Sequence, residues 1–446
     1  MRVRVVSQIL IVAMVVGLVG IPTSRARAQG APTPLTLAQA VTLALQQNQQ
    51  LRVAGFEVLI ARAQLAQARG AAGAVLNAQA SYTRMKDQPP TTFTFGAISV
   101  TLPPPSSDLF DGRLILSYPL YTGGRLEAQI AMAEANVKGA EATFARLGQQ
   151  VVFATRQAYY QHLLAQAGVE VADRAVAQAS ENLRVAKARV ASGVAPRFDE
   201  IQAEVAAATA RQGQVRARNA LAQAGQGLNA VLNLSLDTPL VLSDQLTVTA
   251  VSTPRERLLA AAVQARPELA EIQARQAAAQ AGIALAESGA RPNVVLSGFG
   301  SYGNTGGAFS GSSSGSSNWG ITLAITLNLY DGGITRERIQ EAQLRLDQLR
   351  AVEVQQRQAI ELEVRQSLLN LLAASDELAG ADALIVQAAE ALRIANVRFQ
   401  SGVGTGLEVV SAQAAASQAE ASKAQALFNF NVARAALERA VGGPVQ

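Results

Sequence analysis

The chain has 446 residues, of which 49% are hydrophobic and 4% aromatic, with one histidine and no cysteine. The absence of cysteine excludes disulfides, thiolate metal sites and a cysteine nucleophile. A lone His162 inside a long helical stretch gives no basis for a histidine metal centre, so no metal site and no cofactor are expected. The formal charge of +5 includes Arg2, Arg4, Arg25 and Arg27. Without those four, basic and acidic side chains nearly balance, and no basic excess points to nucleic acid.

Residues 1–28 read as a secretory signal. A charged start is followed by an apolar run over 9–21 and a small-x-small pattern at Ala26, Arg27 and Ala28. The run is shorter than the ~20 residues a spanning helix needs. No later segment approaches that length, so membrane insertion, if it occurs, requires a β-barrel.

The rest of the chain is written twice. Ser117-Tyr-Pro-Leu-Tyr-Thr-Gly-Gly124 matches Thr326-Leu-Asn-Leu-Tyr-Asp-Gly-Gly333 at an offset of 209 residues. The same offset carries Arg189-Val-Ala-Ser-Gly193 onto Arg398-Phe-Gln-Ser-Gly402, and Asp199 onto Glu408. The expected units are a first repeat over 29–234, a linker over 235–254 and a second repeat over 255–446.

In chain order, a helix is predicted over 36–70, strands over 75–84 and 111–120, a long helix over 124–191, a turn over 192–196 and a return helix over 197–233. The second half repeats the series: a helix over 255–289, strands over 294–302 and 319–329, a long helix over 333–400, a turn over 401–406 and a helix over 407–441. The long helices show coiled-coil spacing. Leu126, Ile130, Ala133, Val137, Ala140, Phe144, Leu147 and Val151 step by four and three. At 1.5 Å per residue each long helix spans about 100 Å, far beyond an ordinary core.

The strands alternate as a barrel wall does. Trp319, Ile321, Leu323 and Ile325 form one apolar face, as do Leu114, Leu116 and Tyr118 in the first half. Gly298 and Gly300 weaken the third strand. The segments 86–108 and 304–318 read as loops. Four strands cannot close a transmembrane barrel, which begins at about eight, so the pattern demands an oligomer.

These features resemble the TolC-type outer-membrane efflux proteins. The resemblance is carried by Leu35-Thr-Leu-Ala-Gln-Ala-Val41, by Tyr-x-Gly-Gly at Tyr121 and Tyr330, and by the turns at Gly193 and Gly402 followed by Asp199 and Glu408. It implies a mainly α fold with a small transmembrane β-barrel portion, in which long coiled-coil helices form an α-barrel continuous with a β-barrel shared by the oligomer. It implies a homotrimer in the outer membrane lipid bilayer, extending into the periplasm. That trimer would meet a periplasmic adaptor and an inner-membrane pump, and pass small molecules or proteins out of the cell without catalysis. The tip would hold Gly193, Asp199, Phe399, Gly402, Gly404, Glu408 and Ser411. Phe399, Gly404 and Ser411 stand where the family carries a latch tyrosine, a latch arginine and a second acidic residue, so the familiar closing network is not expected. Glu408 could line the pore or assist the start of its helix. The competing reading is a periplasmic coiled-coil scaffold without a barrel, which would have no need of the apolar face at Trp319.

Two further motifs are set aside. Gly311-Ser-Ser-Ser-Gly315 lies in a Ser/Gly tract without the strand-to-helix context of a hydrolase elbow. Gly402-Val-Gly404-Thr-Gly406 lacks the following Lys-Ser/Thr of a phosphate loop.

Overall fold

The structure is a computed structural model describing residues 34–86, 90–102, 108–248, 253–303 and 316–445. The signal segment and the Gly311 motif lie outside the described residues. The first half contains α1 (Leu37–Gln47), α2 (Gln49–Gly70), β1 (Val75–Arg84), β2 (Thr91–Phe95), β3 (Ile98–Leu102), β4 (Asp108–Tyr121), α3 (Arg125–Ala191) and α4 (Arg197–Leu232). The second contains α5 (Arg255–Ala265), α6 (Pro267–Glu287), β5 (Asn293–Gly303), β6 (Ser316–Thr326), α7 (Ile334–Gln400) and α8 (Gly406–Val441).

Both helices that precede the strands are broken, where continuous helices were expected. At Asn48 the backbone turns extended (ψ 123°) and the side chain accepts from the Leu51 amide, starting α2 afresh. At the second break Pro267 has no amide hydrogen and pushes Arg266 out of the helical region (ψ 120°). Arg266 is buried and pairs with Glu268 at 3.0 Å and Glu363 at 2.7 Å. It also donates to the carbonyls of Arg439 and Ala440, satisfying the end of α8.

The long helices α3 and α7 each run 67 residues. In α7 the buried side chains include Ile360, Ser367, Ala374, Ala381, Ala388 and Ala395, a strict seven-residue spacing. Such spacing keeps one stripe against its neighbours and imposes a left-handed supercoil. In the upper part of α3 the buried positions are Ala128, Ala135 and Ala142 together with Leu126, while Val151 at the other end of the predicted seam is buried too. Ile130, Val137 and Leu147 are half-buried and Phe144 is exposed, because α3 packs against α2 on one side and α6 on the other. Alanine at the deep positions lets three helices lie close together.

Two apolar cores form where the short helices meet the long ones. Ala40, Ala44, Val151, Tyr159, Leu163, Leu228 and Leu232 make the first, and Leu258, Ile360, Val364, Leu371, Phe430 and Leu437 the second. His162 is 7% exposed and faces Gly225 of α4, where a Cβ would stand 3.5 Å from its ring. It is a packing residue.

The sheet order is β1-β4-β5-β6, all antiparallel, with β1 and β6 left as open edges. Gly300 lies opposite Trp319 and Gly298 opposite Ile321, so β5 is a full strand despite its glycines. On the other face the Phe299 ring covers Gly320, where a Cβ would sit 2.7 Å from the ring. β6 begins and ends three residues earlier than predicted. Its partner β5 starts only after Pro292, which leaves Leu327 and Leu329 nothing to pair with. The segment expected as one open loop, 86–108, contains the separate β2–β3 hairpin.

Each strand-to-helix corner uses the Gly-Gly pair. Gly123 and Gly124 have φ of 65° and 88°, and Gly332 and Gly333 have 70° and 88°. The residue before each pair caps the helix: Thr122 Oγ1 accepts from the Leu126 amide, and the Asp331 carboxylate from the Gly333 and Thr335 amides. Gly123→Ala combines positive φ with a Cβ 2.8 Å from that of Arg291. It should lower stability by about 2 kcal/mol, read as a lower thermal midpoint. Burial holds the His162 pKa below its ordinary value. Its contribution to stability is therefore full above the unfolded value of about 6.5 and is lost as pH falls below it. His162→Gln should flatten that part of the midpoint-against-pH curve.

Candidate functional site

The apolar strand face is assembled by register. Pairing aligns Trp319 with Gly300, Leu114 and Ala78, then Ile321 with Gly298, Leu116 and Leu76, then Leu323 with Leu296 and Tyr118. Ile325 meets Val294 one row further on. All seven residues predicted for this face therefore share one side of the sheet. They are open to solvent in the single chain, from Tyr118 at 41% to Trp319 at 77%. The opposite side carries Asn77, Gln79, Arg113, Ser117, Ser297, Ser301 and Thr322.

Aromatic residues border this face at both ends. Tyr82, Phe110, Tyr302 and Trp319 stand at the loop end, and Tyr118 and Tyr121 at the helix end. Aromatic rows on either side of an apolar band are the pattern found where barrel walls meet water. The sequence reading identified the band but missed the rows, which become visible only once strands from both repeats are in register.

The other predicted site lies at the far ends of the long helices. Gly193 (φ 75°) and Gly402 (φ 77°) close α3 and α7, with the Val194 and Val403 amides bonded back to the carbonyls of Arg189 and Arg398. Gly404 has no room for a side chain: a Cβ would lie 2.9 Å from both the Cβ of Arg398 and the backbone nitrogen of Phe399. An arginine is therefore sterically excluded there.

Thr405 caps α8 by accepting from the Glu408 amide at 3.3 Å, and the Glu408 carboxylate lies 3.3 Å from Arg398. Glu408 thus assists its helix start and pairs within its own hairpin, with its side chain still 43% exposed. Ser411 donates to the Glu408 carbonyl. Asp199 lies in the first turn of α4 and lines a small pocket with Arg189 and Phe399.

The structure brings the two hairpins together through a contact that sequence reasoning missed. The Arg189 guanidinium lies 4.5 Å from the centre of the Phe399 ring. Further up, the Asn182 amide donates to Gln413 at 2.9 Å. Phe399 therefore makes its contact through the face of its ring. The residues that could have signalled this, Arg189 and Phe399, belong to different repeats. Phe399→Leu should cost about 1 kcal/mol of cation–π attraction and raise hydrogen exchange at the first tip, while Phe399→Tyr should preserve protection.

Among the described residues no helix is long and apolar enough to cross a membrane, and no three His, Asp or Glu side chains come together. The model of the outer membrane efflux protein family matches residues 40–234 and 258–443, one stretch in each repeat. CyaE of Bordetella pertussis is 28% identical over 303 residues, which cover 67% of this chain and 63% of that protein. OprJ of Pseudomonas aeruginosa is 28% identical over 434 residues, covering 91% of this chain and 84% of OprJ. Among solved structures, the outer-membrane channel OprN superposes with a TM-score of 0.74 at 22% identity, covering 91% of this chain and 90% of that one. The open state of the Neisseria gonorrhoeae MtrE channel gives 0.74 at 20%, covering 91% and 89%. The chain therefore belongs to the outer membrane efflux protein family, whose members are channels, and it is an outer-membrane protein that extends into the periplasm.

Proposed function

We propose that three copies of the chain form an exit duct, with twelve strands closing one barrel and the long helices forming a periplasmic tunnel. One observation carries the reading. A four-stranded sheet displays an exposed apolar band on one face and two unpaired edges, a state that lipid does not tolerate and that further strands would complete. The scaffold alternative leaves the apolar face and its aromatic rows without a use.

The duct carries small molecules or proteins passively; the reading assigns it no catalysis. Its long helices project about 100 Å from the sheet, so their tips lie deep in the periplasm. Val194 and Phe198 at one tip, and Val403 and Leu407 at the other, are exposed large apolar residues at matching repeat positions. That doubled apolar surface suits a periplasmic adaptor protein, which in turn would join the duct to an inner-membrane pump.

Purified in detergent, the full chain should behave as a trimer and form ion-conducting channels in planar bilayers. Glu408→Gln, by removing the carboxylate nearest the tip turn, should lower cation selectivity. Recovery as a soluble monomer without channels would overturn the duct, and unchanged selectivity would take Glu408 out of the pore.

A further inference from the structure

Two strands stand apart from the four-stranded sheet. Among the described residues β2 and β3 pair only with each other, in register from Thr91 opposite Leu102 to Phe95 opposite Ile98. The turn between them is Gly96-Ala97, with Gly96 at φ 62°. A two-residue turn fixes the pairing, and the pairing fixes two faces. One face holds Phe93, Phe95, Ile98 and Val100, between 47% and 73% exposed. The other holds Thr92, Thr94, Ser99 and Thr101, whose hydroxyls meet across the strands at 3.1 Å and 3.3 Å. A two-stranded hairpin is marginal on its own in water, and a contiguous exposed apolar face marks an interaction surface.

Neither lipid nor the chain's own sheet suits that face. The connectors leave the sheet beyond its loop-end aromatic row. The last pair there is Arg84 with Asp108, and Asp108 accepts from the Tyr82 hydroxyl at 2.7 Å. The hairpin therefore hangs from the water side of the row, by a connector that includes Lys86 and Asp87. On the polar side of the sheet, the last row to cross all four strands is Ser81, Asp111, Gly303 and Ser316. Apolar side chains laid on that row would bury hydroxyl and carboxylate groups without partners.

Further copies of the same hairpin do suit it. Twelve strands ~4.8 Å apart and tilted by ~40° close a barrel of about 12 Å radius. Residues 85–90 and 103–107 join the hairpin to the sheet, and the shorter connector spans up to about 17 Å when extended. Each hairpin can therefore reach the barrel axis. No residue from 91 to 102 is charged, so three hairpins can gather there without repulsion.

We propose that the β2–β3 hairpins of the three copies pack their apolar faces together on the axis, with their hydroxyl faces in water, and so cover the outer mouth of the duct. The contact rests on the duct reading, which supplies the axis. It places an apolar constriction at the opposite end of the duct from the Glu408 tip.

The chain has no cysteine, so single cysteines in the full-length protein report on this contact in intact outer membranes. Under an oxidant, Phe95→Cys and Ile98→Cys should each give reducible two-chain bands on a denaturing gel, while Thr94→Cys, on the hydroxyl face, should remain single chains. Ser301→Cys, on the polar side of the sheet, reads the cover itself. A bulky water-soluble maleimide added outside the cells should label it several-fold faster once Phe95→Asp and Ile98→Asp are added. No two-chain bands at either apolar position, equal bands from Thr94→Cys, or an unchanged labelling rate at Ser301→Cys would each overturn the hairpin contact. Protection of Phe95→Cys and Ile98→Cys from maleimide without cross-linking would overturn it in favour of lipid. A monomeric unmodified protein would instead overturn the duct.

Discussion

Lipid offers no hydrogen bonds, and that single constraint organises the molecule. Each backbone amide and carbonyl at membrane depth needs a protein partner. β4 and β5 have theirs within the chain; β1 and β6 each have one edge without a partner. Among the described residues nothing pairs with those edges: β2 and β3 pair only with each other, and the elements outside the two sheets are helices. The apolar face makes the same demand from another direction. Trp319, Ile321, Leu323 and Leu114 are too exposed for a water-soluble sheet and are placed as a lipid-facing wall requires. On the proposed duct, assembly is a condition of the fold, not an addition to it.

The helical part answers a different requirement, which is length without a thick core. A 67-residue helix buries little per turn, and its neighbours must lie close along the whole run. Seven-residue alanine stripes provide that closeness. The shorter helices begin and end near the middle of the long ones, and both compact cores form there. The breaks at Asn48 and Pro267 belong to this plan. They turn α1 and α5 into separate packing units against α3 and α4 in one repeat, and against α7 and α8 in the other. Buried Arg266 ties the second break to the end of α8.

Much of this was legible in the residues. The doubled Tyr-x-Gly-Gly and Ser-Gly motifs marked the repeat, and period-2 alternation placed Leu114, Leu116, Tyr118, Trp319, Ile321, Leu323 and Ile325 on one side of the sheet. The misses have physical causes. Leu327 and Leu329 continue the alternation of β6, but a strand ends where its partner ends, and Pro292 sets that limit. The predicted seam of α3 is buried only at Leu126 and Val151, because a helix flanked on two sides also buries small residues such as Ala128, Ala135 and Ala142. Asn48 gave only a weak local signal; Pro267 gave a stronger one that the long apolar pattern obscured. At the tip, local sequence placed Gly193, Gly402 and the first-turn acids correctly. It could not show that Phe399 meets Arg189, because that contact joins two repeats. Nor could it show that Gly404 is held to glycine by the Arg398 backbone.

The central claim is that β1 of one copy pairs with β6 of the next. Because the chain has no cysteine, paired substitutions can report on this without background. Cysteines introduced together on the polar face, at Asn77, Gln79 or Ser81 of β1 and at Asn318 or Thr322 of β6, should in at least one combination give an oxidised ladder ending at three chains on a denaturing gel. A complete scan yielding only monomers from correctly localised protein would contradict the shared barrel.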